Sequence, residues 1–375
     1  MITGFGHGND YAYGVAVQSD GKIVVAGTVA DASSSDFGVA RYNTNGTLDN
    51  TFGSDGKVST GFGATDGANA VALQSDGKIV AAGFTNSSGG DDDYALVRYN
   101  TNGTLDNSFS GDGKVIFGFG FGDDVASAVG IQTNGKIVIA GNAYDGNTID
   151  FGVARLNTNG SLDNTFSGDG MTLTGFGADD IARAVAIQSD GKIIAAGDKH
   201  LGFGNYSVVM ARYKTNGGLD NTFGSDGNGK VTTGVDGAGE SAKAIAIQSN
   251  SKIVLAGNTT ESGGDQDFLV LRYHGDNAAP EIISGISNDD AKIAEKKLSS
   301  LHIYPNPVVN MLHVEGLNAS SPVTISIIEL SGTVLQKTTV KGNEYAFDVS
   351  MLRPGMYYVS IVEKDKTVNL KFMKE

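Results

Sequence analysis

The chain has 375 residues, 40% of them hydrophobic, and a net charge of −15. This hydrophobic share supports folded cores, and the length predicts two domains or one repeat array with an appendage. The acidity argues against nonspecific binding to nucleic acid or anionic membranes. Cysteine is absent, which excludes disulfides, thiolate nucleophiles and Cys-ligated zinc. No apolar run is long enough to span a membrane.

One tract, AVQSDGKIVVAG, begins at Ala16 and recurs four more times along the chain. The spacings between its central glutamines are 56, 58, 56 and 60 residues, at Gln18, Gln74, Gln132, Gln188 and Gln248. A period of this size marks an array of one supersecondary unit, either a propeller or a solenoid.

Each unit predicts four short strands. VAVQ and KIVVAG flank Ser-Asp-Gly, which is a hairpin signal, and DFGVARYN has the alternation of a third strand. GKVSTGF supplies the fourth strand, and no amphipathic helix intervenes. Four antiparallel strands per unit favour an all-β fold, a β-propeller of about five blades, because the coils of a β-solenoid are shorter.

The segment DYALVRYNTNGTLDNSFSGDGKV, together with LQSDGKIVAAG before it, resembles the delta-60 repeat of secreted bacterial proteins. The resemblance covers residues 1–276 and implies a propeller-type architecture. It implies no activity.

Both ends of the array look incomplete. Residues 1–6, MITGFG, match the end of a unit at 59–63, and the fifth unit stops at Asp276 without its LDNTF and GKV portions. Either the ring closes under strain or upstream repeats are missing, and we expect the latter. No basic region followed by an apolar segment is visible at the N-terminus. We therefore expect an incomplete ring and a missing signal peptide.

The stretch 42–58, YNTNGTLDNTFGSDGKV, could be read as a calcium loop. Aligned on Gly46, however, the first ligand position is Arg41, and the bidentate glutamate that closes such loops is missing. Because Lys22, Arg41, Asp49 and Phe52 recur from unit to unit, we expect them to form the scaffold. The stretch predicts Asx-Gly turns, with no metal and no cofactor.

The loops between the second and third strands vary in length and composition. They span 28–35, 85–92, 143–149, 198–204 and 259–266, and in a propeller they share a face with the connections between blades. Drift in unconstrained loops is the alternative. Candidate binding residues on this face are Asp91, Asp92, Asp93, Lys199, His200 and Asp265. Carboxylates from two blades could in principle assemble a glycosidase pair, but we assign no catalytic residue.

The C-terminal part differs from the repeats. Residues 277–299 are polar and turn-rich and predict a linker, and 300–375 predict a small Ig-like β-sandwich of short alternating strands. The tail is similar to the type A C-terminal sorting domain of the type IX secretion system of Bacteroidota. The matching residues are Tyr304, Pro305, Asn306, Pro307, Gly332, Leu352, Gly355, Tyr357 and Lys371, with Phe372 beside the last of these.

The resemblance of the tail implies export across the outer membrane, contact with the secretion machinery, and cleavage of the tail. We therefore expect a secreted or surface protein that presents a ligand- or surface-binding face and is not an enzyme. The ligand would be extracellular, a glycan or a protein. Two alternatives are an extracellular glycan hydrolase or lyase and a purely structural or adhesive surface protein.

Overall fold

The computed structural model describes residues 2–6, 8–30, 34–86, 90–120, 122–202, 205–224, 226–234, 239–260, 265–275, 280–283, 302–315, 317, 322–329, 333–363 and 366–375. All regular elements there are β-strands, and the chain divides into two compact units, Met1–Gly285 and Ile286–Glu375. None of the described segments is a helix long and apolar enough to cross a membrane.

The first unit contains five antiparallel sheets of four strands, each sheet formed by consecutive strands of one repeat. Blade 1 consists of β1 (Tyr11–Val17), β2 (Ile23–Ala30), β3 (Ser35–Tyr42) and β4 (Lys57–Thr60). Blade 2 consists of β5 (Asp66–Leu73), β6 (Ile79–Thr85), β7 (Asp93–Tyr99) and β8 (Lys114–Phe117). Blade 3 consists of β9 (Val125–Ile131), β10 (Ile137–Tyr144), β11 (Ile149–Leu156) and β12 (Met171–Thr174). Blade 4 consists of β13 (Asp180–Ile187), β14 (Ile193–Gly202), β15 (Asn205–Tyr213) and β16 (Lys230–Thr233). Blade 5 consists of β17 (Gly239–Ile247), β18 (Ile253–Thr260), β19 (Gln266–Tyr273) and β20 (Pro280–Ile283). The predicted all-β propeller of four-stranded units is confirmed.

The cores lie between successive blades. At the first junction, Phe37, Val39 and Phe52 of blade 1 pack on Val97 and Tyr99 of blade 2, all at most 1% exposed. Equivalent clusters fill the other three junctions. Each strand alternates between side chains that face the preceding blade and side chains that face the following one, so both faces of an inner blade are apolar.

The repeated stretch after the third strand ties each blade to the next. In blade 1, Arg41 Nε donates to Asp49 Oδ2 over 2.7 Å, and Arg41 Nη1 donates to the Thr101 carbonyl of blade 2 over 2.5 Å. Lys22 Nζ lies 3.0 Å from Asp49 Oδ2, and the Arg41 guanidinium covers the buried ring of Phe52 at 4.9 Å. The predicted scaffold of arginine–aspartate pairs is present.

The aspartates of these pairs are strongly acidic. Burial acts to raise the pKa of Asp106, but hydrogen bonds from Ser108 and Lys78 and the charge of Arg98 hold that pKa well below its usual range. Asp49 and Asp163 show the same balance. These carboxylates therefore stay ionised in the folded protein and keep the buried arginines neutralised.

Residues 3–5 contact blade 1 as the end of blade 1 contacts blade 2. Tyr42 Oη donates to Thr3 Oγ1 over 2.9 Å, just as Tyr99 Oη donates to Thr60 Oγ1 over 2.8 Å. Lys57 Nζ donates to the Gly4 carbonyl over 2.9 Å, and Phe5 N donates to Asp10 Oδ2 over 2.8 Å. The predicted likeness of these N-terminal residues to the end of a unit therefore extends to their contacts.

The fifth blade corrects one expectation. The sequence predicts no fourth strand after Asp276, but β20 pairs antiparallel with β19, with Ile283 opposite Val270. A segment outside the repeat, inside the predicted linker, thus supplies the missing strand. The remaining residues of that linker, 277–279 and 284–299, lie outside the described part of the chain.

Two blade faces are uncovered. In blade 1, Tyr11, Val15 and Val17 of β1 are 54%, 67% and 66% exposed. In blade 5, Phe268 is 91% exposed, whereas its equivalents Phe37 and Phe151 are fully buried. The described strands of blade 5 do not pack on those of blade 1, so the array is open.

The second unit is a β-sandwich. One sheet contains β21 (His302–Tyr304), β22 (Met311–Glu315) and β25 (Glu344–Asp348). The other contains β23 (Val323–Glu329), β24 (Val334–Val340), β26 (Gly355–Glu363) and β27 (Lys366–Lys374). Leu312 and Phe347 from the first sheet share a core with Ile325, Val359 and Phe372 from the second.

Candidate functional site

The variable loops and the connections between blades lie at the same end of the sheets. Asp92 N donates to Asp123 Oδ1 over 3.0 Å, and His200 N donates to the Asp179 carbonyl over 2.8 Å. Ser35 Oγ reaches the Asp66 carbonyl over 2.8 Å. We call this end the loop face. Residues 31–33, 87–89, 203–204 and 261–264 of the loops lie outside the described residues.

The acidic run in blade 2 belongs to the junction with blade 3. Asp92 Oδ1 accepts from Asn86 Nδ2 over 3.1 Å, and its backbone contacts Asp123 and Asp124. Asp93 is half-buried at the start of β7, while Asp91 is exposed. Of the three, Asp91 offers its side chain to solvent most freely.

The other three predicted residues are separated from this run. Lys199 Nζ donates to the Phe176 carbonyl over 2.5 Å, so its charge is directed to the connection between blades 3 and 4. The His200 ring stacks on Tyr206 with centroids 4.9 Å apart. Asp265 in blade 5 is exposed. Among the described contacts, none joins these residues to one another across blades, so a shared site remains a prediction.

Buried carboxylates recur where each inner blade begins. Asp66, Asp124 and Asp180 are at most 1% exposed, and each accepts a backbone N–H from the connection before it. Burial and neighbouring acids raise the pKa of all three, that of Asp180 to about 6. Because the arrangement repeats from junction to junction, it supports the architecture rather than one reaction.

We expect Asp180→Asn to stabilise the protein at pH 7.5 by up to about 3 kcal/mol, and to have little effect at pH 4. The folded pKa exceeds the unfolded one, so the folded state binds this proton more tightly. That contribution is present below pH 4 and is lost as the pH rises through 6. Unfolding at both pH values measures the difference, with the exposed Asp190→Asn as control. Equal effects at the two pH values would contradict the assignment.

A β-bulge interrupts the first strand of every blade at the same position. The pairing register skips one residue there, and that residue differs in each blade: Tyr13, Asn69, Ser127, Arg183 and Lys243. Buried alanines flank it on both sides in blades 3 and 4, for example Ala182 and Ala184. Bulges re-aim side chains and are frequent beside functional sites.

These bulge residues form a series along the array, because the first strands of successive blades contact one another. Each is at least partly exposed. Sequence reasoning missed them. The available signal was one changing polar position, five residues before each repeated glutamine, within an otherwise repeated strand.

At the junction of blades 4 and 5, the bulge residue Arg183 is part of a charged cluster. Arg183 Nε donates to Asp198 Oδ1, and Arg183 Nη2 donates to Asp198 Oδ2 over 3.1 Å. Ser241 Oγ from blade 5 donates to Asp198 Oδ1 over 2.5 Å. Asp198 is 2% exposed, so a buried carboxylate orients a guanidinium whose side chain is 32% exposed.

In the sandwich, the Tyr-Pro-Asn-Pro motif clamps the last strand. Asn306 Nδ2 donates to the Lys371 carbonyl over 3.2 Å, and Asn306 Oδ1 accepts from Met373 N over 2.9 Å. Tyr304 stacks on His313 with ring centroids 5.2 Å apart and donates its hydroxyl proton to Glu315. The first motif segment, around Asn306, therefore contacts the last one, around Lys371.

The later motif residues stabilise the sheet that contains β26 and β27. Tyr357 Oη donates to the Arg353 carbonyl over 2.9 Å, and its ring packs on Phe372 at 5.6 Å. Leu352 packs against the core, while Lys371 is exposed. Gly332 lies outside the described residues.

We expect Asn306→Ala to destabilise the sandwich by about 1–2 kcal/mol, because it removes two hydrogen bonds to β27. Chemical denaturation followed by circular dichroism measures the loss. Asn310→Ala, at an exposed position nearby, is the control for a general effect of asparagine removal. An unchanged midpoint for Asn306→Ala would contradict the clamp.

Five blades of one repeat and a clamped C-terminal sandwich define a propeller protein with a C-terminal β-sandwich domain. The chain matches the DUF5122 beta-propeller, a domain of unknown function, over residues 18–52, 74–109, 132–166, 188–223 and 248–276. It matches the secretion system C-terminal sorting domain over 302–375. The chain therefore belongs to the DUF5122 propeller-repeat family and carries a type IX sorting domain, as predicted. This tail marks the protein for export to the cell surface or the extracellular space.

Comparison with curated proteins finds no match. Among solved structures, PorZ of Porphyromonas gingivalis, a surface component of the type IX secretion system, is 11% identical with a TM-score of 0.32; the alignment covers 100% of this chain and 61% of PorZ. A thermostable family-43 glycoside hydrolase is 12% identical with a TM-score of 0.41, over 74% of this chain and 94% of the hydrolase. The polysaccharide lyase Uly1 is 12% identical with a TM-score of 0.39, over 99% of this chain and 92% of the lyase.

Proposed function

We propose that the protein is a non-enzymatic binding protein that presents the loop face and the adjacent bulge residues to an extracellular ligand. One observation carries the proposal. The bulge position changes in every blade, from Tyr13 to Lys243, while the strand around it is repeated. A scaffold position needs the same residue each time, whereas a binding surface needs different groups at successive positions.

The acidic residues of the loop face favour a binding protein over an enzyme, because their carboxylates are already engaged within the fold. Asp66, Asp124 and Asp180 recur at equivalent junctions and accept backbone N–H groups. Asp92, a single-copy acid, is engaged by Asn86. A glycoside hydrolase would need two carboxylates at a defined separation beside one sugar.

A panel of extracellular glycans and proteins, tested for binding and for product release with the purified chain, examines this proposal. We expect saturable binding without products. Substitutions on the loop face, such as Asp91→Asn, should weaken binding, while Asp20→Asn in the hairpin at the other end of blade 1 should not. Product formation would favour the enzyme. Absence of any ligand in the panel would favour the structural or adhesive alternative.

A further inference from the structure

We propose that Arg183 and Lys243 form a binding site for the carboxylate of an acidic sugar, a uronate, at the junction of blades 4 and 5. The inference rests on the proposed binding function and names the ligand class for one part of it. It starts from the four residues of the cluster, Arg183, Asp198, Ser241 and Lys243.

The cluster is unique within the array. At the four equivalent positions the other blades have different residues, for example Asn69 and Ser127 in place of Arg183, and Phe84 and Asn142 in place of Asp198. The repeated Arg–Asp pairs after the third strands already stabilise the scaffold. An additional buried carboxylate in one blade therefore calls for a local explanation.

Asp198 positions the arginine. Its two oxygens engage Nε and Nη2 of Arg183, and Ser241 from the next blade donates to one of them. The guanidinium is thereby fixed as a planar fork, and Nη1 has no partner among the described contacts. A pre-oriented arginine that retains free N–H donors is suited to a carboxylate.

Lys243 supplies the second charge. It is the bulge residue of the neighbouring first strand, it is exposed, and no ion pair is formed by it among the described residues. Ser241, two residues before Lys243, donates to Asp198, which is the partner of Arg183, so both cations lie at this junction. Partial burial of the side chain and then the charge of Arg183 lower the pKa of Lys243, in keeping with repulsion between the two cations. An anion placed between them would remove this repulsion.

The charge balance selects the kind of anion. Arg183 and Lys243 carry two positive charges and Asp198 carries one negative charge, so the cluster has a net charge of +1 in a chain of net charge −15. A monoanionic carboxylate balances that charge. A dianionic phosphate would exceed it and would be repelled by the negative charge of the rest of the chain.

The other bulge residues favour a sugar as the bearer of the carboxylate. Tyr13 is an exposed aromatic residue, and Asn69 and Ser127 carry amide and hydroxyl groups. Aromatic stacking and hydrogen bonds to hydroxyl groups are the contacts that a polyhydroxylated ligand uses.

The test is titration of the full chain with trigalacturonate and with a glucuronate trisaccharide. The methyl ester of each is titrated separately as the control without a charge. We expect saturable binding of at least one acid, no binding of the esters, and at least tenfold weaker binding by Lys243→Gln. Lys214→Gln removes the same charge from an exposed turn at the opposite end of blade 4 and should bind normally. Arg183→Gln should weaken binding similarly, and its unfolding midpoint is measured because it leaves Asp198 without its partner.

Failure to bind either acid, equal binding of the esters, or unchanged binding by Lys243→Gln would overturn the inference. These outcomes differ from failure of the proposed function. A neutral glycan bound without turnover would leave that function standing and remove only the uronate site. Cleavage of either trisaccharide would overturn the non-enzymatic function itself.

Discussion

Deletion of residues 300–375 is expected to stop export. The protein, expressed with a Sec signal peptide in a bacterium that has a type IX system, should decrease at least tenfold in the medium and on the surface. It should accumulate in the periplasm, because the sorting domain is the part that the secretion machinery recognises. Immunoblots of the medium, outer membrane and periplasm measure the change.

The sandwich has its own core, so its deletion leaves the cores between the blades intact. The matched control is the exposed substitution Lys337→Gln in the otherwise unchanged chain, which should be exported normally. Unchanged secretion of the deletion variant would count decisively against a sorting role for this domain. Loss of the protein from every fraction would instead show that the shortened chain is degraded, and circular dichroism of the purified variant separates the two outcomes.

Asp106→Ala should destabilise the propeller unit by about 3 kcal/mol. It leaves Arg98, which is 4% exposed, without the carboxylate bound to its Nε at 2.7 Å, and it also removes the ion pair to Lys78 at 3.0 Å. An unpaired buried charge is costly because burial has already removed its hydration. Urea unfolding followed by tyrosine near-ultraviolet circular dichroism measures the loss.

Asp76→Ala is the matched control for that substitution. Asp76 also lies near Lys78, at 3.7 Å, but its side chain is 56% exposed, so its loss should change stability by less than about 0.5 kcal/mol. Equal effects of the two substitutions would mean that the repeated aspartate is not what neutralises Arg98.

The repeats made the blades predictable. A period-2 pattern and a turn signal recurred in each unit, so errors in one copy were corrected by the others. The fourth strand of blade 5 was missed because PEII lies in a segment outside the repeat, and a strand edge pairs through its backbone whatever the sequence.

The bulge residues were missed, although a changing position before each repeated glutamine marked them in the sequence. A bulge is a property of pairing between two strands, so the sequence shows that position 183 differs from its equivalents and does not show the one-residue skip between Ala182 and Ala184. The loop residues Asp91, Lys199 and Asp265 were predicted because they lie in the loops that vary between blades. Whether loops from different blades converge depends on the curvature of the array, which sequence spacing does not encode. The sorting motif could be predicted because its residues follow one another in a characteristic order along the chain, from Tyr304 to Lys371.

Calorimetry of the chain with a ligand from the panel tests the central claim, binding without turnover, most directly. The account predicts a saturable heat for each injection that returns to baseline, with the ligand recovered intact. Continued heat and released product, abolished by Asp92→Asn and retained by Asp76→Asn, would contradict it and identify the protein as an enzyme.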